Sequence, residues 1–176
     1  MALLPIVLYP DPGLLKPTRP IAVITPEIRD LARDMAETMY AAPGIGLAAN
    51  QVGRDVRLCL VDLSTGEREG ELRVFVNPSV REVSGSDVGE EGCLSFPDIL
   101  LEIERPLRAV VDALDLDGRP FTVDGEGLLA RVMLHEIEHL DGHTFLRNVS
   151  SLKRELVKRQ IRRRIKAGDW VAAVAG

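Results

Sequence analysis

The stretch from Leu128 to Leu140 restricts the fold of this chain more than any other. Leu128, Leu129, Val132, Met133, Leu134, Ile137 and Leu140 place apolar side chains nearly all round a helix. A helix that is apolar on every side is a buried one, so other elements must cover it. Within the same helix stand His135, Glu136, Glu138 and His139. Polar side chains on a buried helix need partners, because leaving them unpaired is costly. The two histidines are four residues apart, so they share a face and both imidazoles can reach one metal ion. Glu136, beside the first histidine, is then placed to act as general base toward a water that the metal acidifies. H-E-x-x-H arises by accident in on the order of one chain in two hundred of this length. The apolar flanks therefore carry the reading. A solvated polar helix would not have them.

The rest of the chain reads as one α+β domain over 1–167, with antiparallel sheets around the central histidine-bearing helix and a further helix at the carboxyl end. Residues 1–24 hold several prolines and read as an extended arm with turns. Thr25-Pro26 opens a helix that keeps its apolar period to about Ala42 and stops at Pro43-Gly44. Residues 44–53 are small and glycine-rich, a loop where backbone approaches something closely. Arg57–Leu63 and Leu72–Asn77 read as strands around Ser64-Thr65-Gly66. Residues 84–92 are polar and glycine-bearing and read as loop. Leu107–Leu116 and Arg119–Val123 make a hairpin around Asp117-Gly118. Asp124 or Gly125 caps the central helix, which ends near Asp141-Gly142. Ser150 or Ser151 caps the last helix, running to about Ala167, and residues 168–176 form a flexible tail.

A hydrolytic metal site usually has three protein ligands and one open position. An extended motif would need a third histidine at position 145, which is Phe145, and His143 sits at the wrong spacing. Glu155 is an alternative, although a lone glutamate on a basic helix more often pairs with a cation four residues on, here Arg159. Cys93, in Glu91-Gly92-Cys93-Leu94-Ser95, is a third option, since thiolate is a good ligand for zinc or ferrous iron. Cys59 lies in an apolar strand and reads as a small buried hydrophobe.

Three segments together carry a resemblance. Gly44-Ile45-Gly46-Leu47-Ala48-Ala49-Asn50-Gln51, Glu91-Gly92-Cys93-Leu94-Ser95 and His135-Glu136-Ile137-Glu138-His139 match, in order and spacing, the signature motifs of peptide deformylases. Pro5-Ile6-Val7-Leu8-Tyr9-Pro10-Asp11-Pro12 is similar to the start of that family. The resemblance implies that Cys93, His135 and His139 bind one divalent metal. That metal is ferrous iron in the family, with zinc, nickel or cobalt taking the site in preparations. It implies hydrolysis of the formyl group from the formyl-methionine of nascent polypeptides, with Glu136 moving the proton. By the same resemblance the Gln51 amide and the Leu94 backbone N–H stabilise the oxyanion. Ile45 and Gly46 flank the substrate, and Ile45, Leu128 and Val132 contribute to the methionine pocket.

This chain departs from the family pattern at three places. Glu138 replaces the usual aspartate, with Arg105 as its expected partner. Leu100 stands where many members carry an arginine that helps hold the substrate backbone. Arg131 stands where the family usually places an apolar pocket residue, so it is expected to alter side-chain selectivity. Composition narrows the remaining choices. Two cysteines are too few for a disulfide framework and fit a reducing compartment, and the amino terminus lacks a charged export region, so a cytoplasmic protein is expected. No apolar run reaches membrane-spanning length. A net charge of -5 and 4% aromatic residues argue against a dedicated nucleic-acid binder. The last helix differs from the whole. Lys153, Arg154, Lys158, Arg159, Arg162, Arg163, Arg164 and Lys166 crowd it, beside an apolar stripe of Leu152, Leu156, Val157, Ile161 and Ile165. That is either a solvated basic face or, as family membership implies, a ribosome-docking helix. The expected state is a monomer. The competing enzyme is a zinc endopeptidase on the same helix, disfavoured by Phe145. The competing non-enzyme is a metal-retaining binding module, disfavoured by the pairing of Glu136 with Gln51.

Overall fold

Four consecutive buried residues, Leu58-Cys59-Leu60-Val61, form a strand with an apolar layer on each face. The protein, described over residues 3–173 in a computed structural model, is layered around that strand. Its elements run α1 Pro26–Ala41, β1 Gly46–Ala48, β2 Leu58–Val61, β3 Arg73–Ser84, β4 Asp87–Cys93, β5 Phe96–Arg105, β6 Arg108–Leu114, β7 Pro120–Glu126, α2 Leu128–Leu140 and α3 Ser151–Ala167. Short 3-10 turns occupy Pro12–Leu15, Ala49–Val52 and Phe145–Asn148. Five antiparallel strands pair in the order β1-β2-β3-β6-β7, and β4-β5 form a separate hairpin.

Side chains alternate between the faces of a strand, so each strand serves both layers. Leu47, Leu58, Leu60 and Val76 pack against Ala32, Met35, Ala36 and Met39 of α1. Ala48, Cys59, Val61, Phe75, Ala109 and Val111 pack against Ala130, Met133, Leu134 and Ile137 of α2. A third cluster joins β5 to the carboxyl end, with Phe96, Ile99, Leu101 and Ile103 against Phe145, Leu146, Val157 and Ile161. α2 therefore lies between the large sheet and the β4-β5 hairpin, covered as its apolar circumference requires. The fold is α+β, as the sequence implied.

Two expectations change in detail. Residues 84–92 are not loop but mostly strand. The inward positions of β4 are Asp87, Gly89, Glu91 and Cys93, so its buried face is polar and carries no apolar alternation. β7 continues through Asp124 and Gly125, and the cap of α2 is Gly127, at φ 58°. The other helix starts hold: Thr25 precedes α1, and the Ser150 hydroxyl accepts from the Lys153 N–H that opens α3. Of the apolar stripe on α3, Val157 and Ile161 are buried, while Leu152, Leu156 and Ile165 are exposed.

The amino-terminal arm ties these layers together. Val7 N–H donates to the Gln51 carbonyl at 2.7 Å, Tyr9 N–H to the Ser95 carbonyl at 3.0 Å and Thr18 N–H to the Leu140 carbonyl at 2.8 Å. It thereby links the three segments singled out in the sequence.

Candidate metal centre and cleft

α2 brings His135 and His139 together with ring centroids 5.0 Å apart. β4 ends at Cys93, where the turn Leu94-Ser95 reverses the chain into β5 and a bulge between Glu91 and Cys93 re-aims the strand. The Cys93 Sγ lies 3.2 Å from His139 Nε2. One atom from each of Cys93, His135 and His139 falls within 4.8 Å of the others. Bonds of about 2.0–2.3 Å to one tetrahedral ion put its ligand atoms roughly 3.5 Å apart, so this donor set fits a divalent cation. The donor chemistry fits as well: one thiolate and two imidazoles suit zinc and ferrous iron alike.

The two histidines sit in different surroundings: burial would lower the His135 imidazole, but hydrogen bonds to Cys93 and Glu91 raise it well above its usual range. His135 Nδ1 lies 2.9 Å from Glu91 Oε2, so an ionised Glu91 keeps the proton on Nδ1 and leaves Nε2 for the metal. Burial alone would raise the Glu91 carboxyl. Hydrogen bonds from His135 and Arg105 overcome burial and hold it at about 2. Burial, followed by the charges of His135 and Arg105, pushes His139 well below the usual imidazole range, toward the neutral form that ligates.

Glu91 is the centre of a buried ion cluster. Arg105 donates to both its oxygens through Nε and Nη2, and Arg131 Nη1 donates to Oε1 at 3.0 Å. Arg131 comes from α2, borders the cleft and is 5% exposed. Its guanidinium also donates to the carbonyls of Ile103 at 2.8 Å and Asp87 at 3.0 Å and to the Asp87 carboxylate at 3.0 Å. Gly89 makes room for it, since a Cβ there would lie 3.1 Å from the guanidinium carbon. Arg105 Nη2 further donates to Glu138 at 3.1 Å, and Asn148 donates to both Glu138 oxygens. Glu138 thus has the partner expected for it and is not among the three grouped ligands.

Glu136 is 4% exposed, and burial pushes its carboxyl up to about 7. Its Oε2 has no hydrogen-bond partner among the described residues. Gly46 lies against it: a Cβ there would strike the carboxylate and come within 2.9 Å of Val132. Gln51 is buried, and its Oε1 accepts from the Ala48 N–H at 2.9 Å, which turns Nε2 toward Ser95 Oγ at 3.2 Å and Cys93 Sγ at 3.5 Å. Ser95 and Asn50, whose amide donates to the His139 carbonyl, belong to this assembly and were not singled out from sequence. Both stand inside the matched motifs, which was the available signal.

A cavity of about 530 Å³ opens over these groups, a size suited to a small peptide. Ile45, Gly46, Gln51, Leu94, Leu128, Arg131, Val132, His135 and Glu136 all border it. The rejected ligands lie elsewhere. Phe145 is buried with its ring edge-on to His135, His143 is exposed, and Glu155 pairs with Lys158 at 3.2 Å and not with Arg159. Burial raises the Cys59 thiol well above its ordinary value, as suits an inert core residue.

Comparison with known proteins agrees. A family model described as polypeptide deformylase matches residues 3–155. A peptide deformylase of Acidobacterium capsulatum is 48% identical over 97% of this chain and 100% of its own length. One from Acinetobacter baumannii is 47% identical over 92% of this chain and 91% of its own. The crystal structure of a peptide deformylase from Legionella pneumophila superposes with a TM-score of 0.87 at 38% identity, covering 94% of this chain and 98% of that one.

Proposed function

Because the chain belongs to the peptide deformylase family, whose metal-dependent reaction removes the formyl group from N-terminal formyl-methionine, we propose which of its residues perform that reaction. Cys93, His135 and His139 hold the metal, and Glu136 moves the proton. The observation that carries this assignment is the Glu136 carboxylate, buried, without a partner at Oε2 among the described residues and sharing one cleft with Cys93 and His135.

A divalent cation held by Cys93, His135 and His139 would supply Lewis acidity there, toward water and carbonyl oxygen alike. Glu136 accepts the proton of the attacking water and returns it to the amine nitrogen as the carbon–nitrogen bond breaks. A carboxyl held near neutrality suits a group that must do both. Gln51 Nε2 and the Leu94 backbone N–H donate to the oxyanion, and Ala48 and Ser95 keep the Gln51 amide in place beforehand. Gly46 lets Glu136 approach and leaves backbone open to a peptide alongside. Ile45, Leu128 and Val132 take the methionine side chain.

Ferrous iron is the proposed physiological ion, and residues 1–167 the catalytic domain of a cytoplasmic monomer. Among the described residues no helix is long and apolar enough to cross a membrane. The proposed partner beyond the nascent chain is the ribosome. Support for that comes from α3, where Lys153, Arg159, Arg162, Arg163 and Lys166 are exposed beside the exposed Leu152 and Leu156. Association that weakens as salt rises is the expected behaviour. The test of the chemistry is formate release from formyl-Met-Ala-Ser under anaerobic conditions by iron-loaded protein. Wild type is expected to release formate and Glu136→Ala to bind metal without turnover. A Glu136→Ala variant that keeps wild-type turnover would overturn the assignment.

A further inference from the structure

We propose that Val171 and Ala172, returning from α3, form the binding wall for the residues that follow the formylated methionine, and that this wall favours apolar residues over acidic ones. The inference rests on the deformylase reading of the cleft.

The cleft has two apolar linings that belong to different parts of the core. Ile45 and Val132 belong to the cluster around α2, and Leu128 adjoins them on that helix. Leu94 and Ala172 pack instead with Ile6 and Ala42, at the amino-terminal arm and the end of α1. A peptide with its formyl group at the metal and its methionine in the first lining still needs a surface for the residues that follow. The second lining provides one, continuous with the same cavity.

The segment that completes it was expected from sequence as part of a flexible tail, but its described residues 168–173 are anchored, while 174–176 lie outside the described residues. Gly168, at φ 78°, ends α3 and turns the chain back. Trp170 Nε1–H donates to the Tyr9 carbonyl at 2.7 Å, its ring packs on the Phe96–Phe145 cluster, and the Arg164 guanidinium lies 5.0 Å from its centroid. Val171 then borders the cleft while 64% exposed, and Leu100 across β5 borders it while 61% exposed. Apolar side chains left open on a cleft wall gain by burial when a ligand covers them.

The charges around the cleft set the discrimination. Its described lining includes Glu90, Glu91, Asp98 and Glu136 against two basic groups, Arg131, whose guanidinium is taken up by the hairpin, and His135, which is taken up by Glu91 and the metal group. Arg164 pairs with Asp98 at 3.1 Å and donates to the carbonyls of Pro97 and Asp169. An incoming carboxylate meets Glu90 and Asp98 with no free partner among these residues.

The test compares kcat/KM for formyl-methionine amide, formyl-Met-Leu-Leu, formyl-Met-Lys-Lys and formyl-Met-Glu-Glu, in wild type, Val171→Asp and Trp170→Ala. Metal content and Tm are recorded for each protein. Wild type is expected to favour the leucine over the glutamate peptide by roughly tenfold. Val171→Asp should lower the ratio of leucine peptide to amide by roughly tenfold and raise that of the lysine peptide. Trp170→Ala should lower the leucine ratio alone. If Trp170→Ala loses its metal or its fold, the surface substitution Val171→Asp still decides. Unchanged ratios overturn the wall while leaving the reaction intact. An equal gain on every substrate overturns it in favour of a segment that merely covers the cleft. A wild type that releases no formate from any of the peptides overturns both.

Discussion

At the scale of single residues, two assignments lead to measurable losses. Gln51 is held at both ends of its amide before any substrate arrives, which is the preorganisation an oxyanion donor requires. Gln51→Leu is expected to lower kcat by roughly a hundred- to a thousandfold with metal content unchanged. Steady-state kinetics beside metal analysis separate that outcome from loss of the site. Gly46→Ala puts a methyl against the Glu136 carboxylate and Val132. It should lower kcat by at least tenfold, because the proposed base must move by roughly an ångström to clear the methyl, and crowding against Val132 should lower Tm by a few degrees. The glycine was legible in the sequence as a position of close approach. That the approaching group is the Glu136 carboxylate follows only from the folded chain.

At the scale of elements, the β4-β5 hairpin holds one ligand and α2 holds two, and no sheet hydrogen bonds join the hairpin to the large sheet. Arg131 and Arg105 span the gap between hairpin and helix. Arg131→Met leaves Asp87 and the Ile103 carbonyl without this donor and Glu91 with one cation fewer. Breaking a buried ion pair from one side costs several kcal/mol, so a destabilisation of roughly 3 kcal/mol is expected in urea unfolding. Metal affinity should fall about ten- to a hundredfold, because Glu91 orients His135. If Arg131 acted on selectivity alone, stability and metal affinity would stay as in wild type. Arg131 occupies a pocket position on its helix and does border the cleft. Its guanidinium also reaches a strand that polar composition had disguised as loop. β4 escaped recognition for the same reason: Glu91 and Gly89 occupy its inward face in place of apolar residues, and arginines from other elements compensate them.

At the scale of the whole molecule, stability is linked to protons and metal. Burial, then the hydrogen bond to Asp62 at 2.7 Å, pushes the Tyr40 hydroxyl up from 10 to about 12. A group whose pKa rises on folding contributes fully below its unfolded value, and that contribution is lost as pH climbs through the folded one. Tm should therefore fall between about pH 10 and pH 12, and less steeply in Tyr40→Phe, as calorimetry across that range would show. Removing metal with a chelator should lower Tm at neutral pH, since an ion bound only by the folded chain stabilises it. Recovery on adding iron checks the effect. By itself the sequence determined a buried metal-binding helix, the three motifs, the hairpin of β6 and β7 and the α+β class, because periodicity and motif spacing are local properties of the chain. It did not determine which groups compensate one another across elements. Glu91 between two arginines and a histidine, Asn50 on the His139 carbonyl, and Val171 at the mouth of the cleft all join residues far apart in the chain. Such pairings are settled by how the layers pack, because a buried charge is satisfied by whatever lies beside it in space.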